Sequence, residues 1–195
     1  NSKDKIISIN YFRRWNQEII NLKKNLNSNK FSQIKKINVK YSKSLLNNGL
    51  HLIDLCLFLI GNPDKIDKIK KNKYKYDDKN YGYDFNFFYK QKKIDVNFQN
   101  IPNINYVFID FEIFLEEYYI HIKKRSQIIE YFKKTKDENY INLNDLKLIK
   151  RENTSWKKCM FKAGEELVNS NSQSEISHSL KDSLKLFKIY DEITK

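Results

Sequence analysis

Apolar residues along this chain recur with two periods, and the switches between them mark out its elements. Residues 5–12, Lys5-Ile6-Ile7-Ser8-Ile9-Asn10-Tyr11-Phe12, are rich in β-branched and aromatic side chains and predict a strand that ends at Arg13-Arg14. From Trp15 the period lengthens, placing Trp15, Ile19, Leu22 and Leu26 on one face of a helix that closes in Asn27-Ser28-Asn29. Alternation returns over 34–41, with Ile37, Val39 and Tyr41 opposite Lys36, Asn38 and Lys40. The next stretch, Leu50 to Ile60, is apolar nearly all round, with Asn48 as a candidate cap and Gly61 before Pro63 as the stop. Such a helix is predicted to be buried. Its two polar side chains, His51 and Asp54, are three residues apart and share a face one turn from the helix start. Taken alone they leave two readings open. One is a hydrogen-bonded pair inside a core. The other is an acid/base histidine at a cleft, where the positive end of the helix dipole favours neutral, proton-accepting imidazole.

Beyond Pro63 the pattern is that of strands. A lysine-rich candidate covers 66–76; Tyr83, Phe85, Phe87 and Tyr89 then alternate with polar residues, as do Ile94, Val96 and Phe98, and the Lys90 to Lys93 turn makes them a hairpin. Val107, Ile109, Phe111, Ile113 and Leu115 form a further apolar face, repeated by Tyr118, Ile120 and Ile122, with an extended stretch expected within 140–149. Trp156, Cys159, Met160, Ala163 and Leu167 fit one face of a helix, and Asn169 to Ser174 a linker. Ser179-Leu180-Lys181-Asp182 resembles a capping box opening a last helix with Leu180, Leu184 and Phe187 inward. The sum is an α+β fold, a largely antiparallel open sheet with helices packed on one face and a wetter opposite face.

Composition narrows the chemistry. At 195 residues the chain has the size of one domain. Its longest apolar run, 55–60, is far too short to span a bilayer, and its N-terminus lacks the hydrophobic segment of a signal peptide, so a soluble cytoplasmic protein is expected. Cys56 and Cys159 form no CxxC and imply neither a disulfide framework nor a zinc site, and no metal site is expected. The net charge of +13 invites a nucleic-acid partner, yet only Arg13, Arg14, Arg125 and Arg151 are arginines, and lysines are spread over every segment, which disfavours that reading. No GxGxxG, Walker loop, GxSxG or HExxH occurs. His121 falls on the wetter face of a strand and His178 beside a helix cap, both bland positions.

Tyr11-Phe12-Arg13-Arg14-Trp15, a helix, an alternating strand, and then Asn47-x-Gly49-x-His51-x-x-Asp54 running into Leu55 to Gly61 resemble the glucose-fructose oxidoreductase / inositol dehydrogenase (Gfo/Idh/MocA) family. Leu180-x-Asp182-Ser183-Leu184 is similar to that family's closing helix. The resemblance covers only the C-terminal, substrate-side part of a two-domain dehydrogenase. It implies that residues 1–13 are the last strand or linker of a missing N-terminal Rossmann domain. Residues 14–195 would be a substrate-binding and oligomerisation domain. It further implies NAD or NADP bound mainly by the missing domain, together with a catalytic lysine from a Glu-Lys-Pro motif absent here. The substrate would be a sugar, sugar derivative or polyol oxidised from hydroxyl to ketone, and this chain alone would be inactive. Residue by residue, His51 matches the acid/base histidine, and Asp54 the aspartate that follows it. Asn47 takes a place where aspartate is common; it can orient a hydroxyl but cannot accept its proton. Arg14 is expected either at an anionic substrate or the cofactor side or as a surface salt-bridge residue, Asp54, which in the family usually supports the helix, is assigned as a substrate contact, and Gln17 replaces a frequent proline. A homo-oligomer through the open sheet face is expected from Phe88, Phe108, Phe114 and Tyr119. Two alternatives stand beside this: a non-catalytic ligand-binding or assembly module of the same fold, and a basic nucleic-acid binder.

Overall fold

The structure, a computed structural model, describes residues 11–28, 30–74, 77–137, 143–170 and 179–195. The strand expected over 5–12 lies outside them apart from its last two residues, as do the inner part of the expected linker and His178. A 3₁₀ turn, Phe12–Trp15, leads to helix α1, Gln17–Asn27, and strand β1, Ile34–Ser42. A π-helical turn, Leu45–Gly49, runs directly into α2, Leu50–Ile60. Seven strands follow: β2, Lys65–Tyr74; β3, Asp77–Tyr89; β4, Ile94–Ile101; β5, Ile109–Leu115; β6, Tyr118–Lys123; β7, Ile128–Lys136; and β8, Asn144–Asn153. Two helices, α3, Trp156–Asn169, and α4, Leu180–Thr194, complete the described chain.

The strands form one sheet in the order β2-β3-β4-β1-β5-β6-β7-β8, antiparallel throughout except for β1 beside β4. The expected hairpin is present in the expected register, with Phe85 opposite Phe98, Phe87 opposite Val96 and Tyr89 opposite Ile94. One face carries Ile37, Val39, Tyr41, Phe87, Phe111 and Ile122 into a core shared with Ile19, Leu22, Ile53 and Leu186 of the helices. Alternation thus reports burial on one side, the period-2 consequence of the pleat. On the other face a row of polar residues crosses seven strands: Asn86, Asn97, Asn38, Glu112, His121, Glu130 and Arg151 face one another in turn.

Helix orientation departs from the sequence pattern in three places. Trp15 belongs to the 3₁₀ turn, and Asn16 caps α1 through its side-chain oxygen, which accepts from the amides of Glu18 and Ile19 at 3.1 and 3.2 Å. On α3, Met160 and Leu167 face outward while Cys159 is buried and Glu166 turns inward to accept from the Trp15 indole at 2.7 Å. On α4 the capping box is present, but Leu180, Leu184 and Phe187 are exposed, and Ser183, Leu186 and Ile193 are buried instead. The face that packs on the core is formed by Leu186, Ile189, Tyr190 and Ile193, and Asp182 in the first turn lies on the same side, approaching Arg14 at 3.5 Å.

Candidate functional site

The buried helix is launched differently from the sequence reading. Ser44, not Asn48, is the cap: its hydroxyl accepts from the Asn47 amide at 3.2 Å, and its carbonyl accepts from Asn48 and Gly49 at 3.1 and 3.3 Å. Asn48 instead donates from its side chain to the Ser42 carbonyl at 2.7 Å. The extra residue of a π turn is what lets Gly49 lie against Tyr41, where an added Cβ would meet Leu45 Cδ1 at 2.7 Å and the Tyr41 ring at 3.2 Å. Asn47 sits exposed in that turn and makes no hydrogen bond to His51. At the far end Gly61, with φ of 90°, ends α2, and Lys92 donates to the Ile60 carbonyl, a cation at the negative end of the helix dipole.

His51 opens the first turn of α2 among aromatic rings. Tyr11 meets it edge-on at 5.1 Å between centroids and Phe12 lies tilted at 5.7 Å; Phe12 in turn meets Trp156 edge-on at 4.4 Å. Its Nδ1 is buried without a hydrogen-bond partner. Burial, reinforced by the nearby Arg13 guanidinium, pushes the imidazole pKa down to about 4. His51 is therefore neutral at pH 7, as expected, but apolar packing rather than the helix dipole is the main cause.

Arg14 and Asp54 are brought together as an ion pair. The Arg14 Nε donates to both carboxylate oxygens of Asp54 at 2.9 and 3.1 Å, and Nη2 lies 2.7 Å from Oδ1. Asp54 is 0 % exposed. Burial pushes its carboxyl up to about 6 against the pull of Arg14. Burial also works to raise Asp182, but Arg14 and the Ser179 hydrogen bonds outweigh it and hold that carboxyl below its ordinary value. Together the three residues tie the 3₁₀ turn, α2 and α4 into one block beneath His51.

The residue that sequence reasoning passed over is Arg13. It is 3 % exposed, its Nε donates to the Ser126 hydroxyl at 3.0 Å, and its Nη1 is buried without a partner. The guanidinium carbon stands 5.1 Å from the Phe12 ring centre and 5.4 Å from that of Trp156. Burial lowers its pKa to about 10, leaving it cationic at neutral pH. Ser126 is held in place by a turn in which Lys124, Arg125 and Ser126 all have left-handed φ, of 51°, 60° and 70°, and by the Thr154 hydroxyl, which donates to its carbonyl at 2.7 Å. Non-glycine residues in that region cost roughly 1 to 2 kcal/mol each, so the turn is strained where it grips Arg13. Trp156 and Thr154 also line a cavity of about 640 Å³ with Glu18, Lys124 and Gln127, a volume that suits a small molecule. Adjacent arginines with opposite fates are not separable by sequence pattern. Gln17 finds a local explanation: its amide, which proline would lack, donates to the Ser155 hydroxyl at 3.3 Å.

No protein-family profile matches the chain, and no curated protein matches it in sequence. Solved structures do match its fold. The Bacillus subtilis protein yvaA superposes with a TM-score of 0.70 at 12% identity, over 97% of this chain and 62% of that one. The UDP-N-acetylglucosamine 3-dehydrogenase GnnA of Acidithiobacillus ferrooxidans gives 0.63 at 12%, over 96% and 60%. A super-repressor mutant of Gal80p from Saccharomyces cerevisiae gives 0.70 at 8%, over 98% and 63%. The chain thus has the α+β fold found in Gfo/Idh/MocA-type oxidoreductases, as its motifs implied, and spans about three fifths of the length of the structures it matches.

Proposed function

We propose that this chain is the C-terminal, substrate-side domain of an NAD(P)-dependent oxidoreductase that converts a hydroxyl of a sugar, sugar derivative or polyol to a ketone, with His51 as the acid/base group. The observation that carries the reading is His51 itself: a neutral imidazole among rings, its Nδ1 without a hydrogen-bond partner, next to a buried cation. A base for a sugar hydroxyl must be neutral and uncommitted, and both conditions are met. The fold shared with a UDP-sugar dehydrogenase supports the substrate class.

In this reading His51 takes the hydroxyl proton and Arg13 stabilises the oxygen as charge develops there. Arg14 and Asp54, assigned to substrate by sequence, act one step back by fixing the helix on which His51 stands. Asn47, exposed in the π turn, orients a second hydroxyl. Four isolated glycines, at 49, 61, 82 and 164, provide no pyrophosphate cradle, so the dinucleotide is assigned to an N-terminal nucleotide-binding domain of which residues 1–13 are the end. When bound, that cofactor would accept the hydride. The chain by itself would not turn over. Half-buried Phe88, Phe108, Phe114 and Tyr119 on the open face support a homo-oligomer, which light scattering at high concentration tests: a monomer sinks it.

The decisive assay is NAD(P)-linked oxidation of a panel of sugars, polyols and nucleotide sugars by the full-length protein, with and without His51→Ala. Turnover that the substitution leaves intact sinks the role of His51. A second reading, a binding module without turnover, draws on the Gal80p match; ligand binding with no nicotinamide-linked activity would favour it.

A further inference from the structure

On the open face, far in sequence from His51, three metal-ligating side chains converge. Glu112 of β5 is directly opposite His121 of β6, and Asp110, two residues earlier on β5, points to the same side. His121 Nε2 lies 2.5 Å from Asp110 Oδ1, and one ligand atom from each of the three residues falls within 4.8 Å of the others. The side chains are 15 %, 17 % and 21 % exposed for Asp110, Glu112 and His121, so they are held rather than free in solvent. Rigid placement on paired strands is what a coordination site needs and what a loop cluster lacks.

We propose that Asp110, Glu112 and His121 bind a divalent cation of borderline softness, with Zn²⁺ as the best fit. One imidazole nitrogen and two carboxylates are a donor set that favours such ions over Mg²⁺ or Ca²⁺, which prefer oxygen alone. Zinc–ligand bonds of about 2.0 to 2.2 Å put tetrahedral donors roughly 3.4 Å apart, so Asp110 moves back from His121 by about an ångström while Glu112 swings in. Three protein ligands on an open face leave a fourth position for water or another donor. Glu112 also accepts a hydrogen bond from Tyr119 at 2.7 Å, which orients it as a ligand's outer partner does. Lys40, 3.8 Å from Glu112, is the competing cation that the metal displaces.

No sequence motif marks the site, because its three residues come from two strands with spacings of no known motif. The test is calorimetric titration of ZnCl₂ into the tag-free, chelator-treated chain, together with the visible absorption of Co²⁺ and the thermal midpoint. We expect one site per chain with a dissociation constant in the micromolar range or tighter, Co²⁺ bands, and a midpoint raised by metal. Affinity should fall at least about tenfold in His121→Ala and in the near-isosteric Glu112→Gln, and stay unchanged in His51→Ala. Circular dichroism confirms that each variant is folded, and Glu112→Gln keeps the test sound if His121→Ala is not. No binding at about 100 µM metal, or binding that survives both substitutions, overturns the proposal.

Discussion

His51 and His121 are both half-buried, and the protein has made opposite reagents of them. His51 is set among Tyr11, Phe12 and a buried arginine, so its neighbours penalise the charged form and leave a nitrogen uncommitted. His121 is set among Asp110, Glu112 and Glu130, which attract cations. Burial, helped by the same carboxylates, drives the Tyr119 phenol well above its ordinary pKa. Rings keep the one imidazole neutral, and carboxylates surround the other. The difference comes from which face of the sheet each side chain meets, not from the residue.

The contrast can be broken in steps. The largest effect belongs to His51→Ala in the full-length protein, where turnover should drop by about 10²- to 10⁴-fold. Next comes Asp54→Asn, which removes the hydrogen-bonded carboxylate of Arg14 and leaves the guanidinium only Asp182 as an acidic partner among the described residues; urea unfolding should show a loss of about 1 to 3 kcal/mol. A change within 1 kcal/mol would mean that the block under His51 does not depend on that pair.

Acid titration sharpens the picture further. The folded His51 pKa, about 4, is depressed below the ordinary 6.5, so its contribution to stability is present above 6.5 and lost as pH falls through 4. Asp54 has the opposite sign: raised from 3.8 to about 6, its contribution is full below 3.8 and lost as pH rises through 6. The two oppose each other between these limits, and Asp54→Asn, which removes one of them, should make stability fall more steeply on acidification from pH 6.5 to 4. The His51 ring resonances, followed by NMR, should stay those of neutral imidazole down to pH 5; a midpoint above 6 would erase its difference from an exposed histidine. The smallest effect is expected for His121→Ala without metal, at most about 1 kcal/mol, as for other partly exposed ion pairs.

Strands were legible because one buried face imposes a period of 2, which the sequence keeps in β1 and in β3 to β6. The buried helix was legible because it is apolar all round. Helix rotation was not: Met160, Leu167, Leu184 and Phe187 look like core in a pattern, yet they are exposed, while Cys159, Leu186 and Ile193 are buried and Glu166 and Asp182 bond inward. Asn48 misled for a similar reason, since Ser44 caps one turn earlier and a π turn leaves no periodic trace. Of the candidate site, the shared helix face of His51 and Asp54 could be read from their spacing, whereas the different surroundings of Arg13 and Arg14 depend in part on a strained turn more than a hundred residues away. The carboxylates around His121 were hidden because register across strands is a tertiary fact.

Strand β1 stands between β4 and β5, which are consecutive in the chain. Were β1 absent from that gap, β4 and β5 could close on each other as a simple antiparallel hairpin. Insertion of β1 has to precede or undo it, at the cost of closing a long loop through α2 and two further strands. The order of events therefore matters as much as the final contacts: a slow phase sensitive to substitutions in β1, and insensitive to those at the β8 edge, is the kinetic signature this topology leaves.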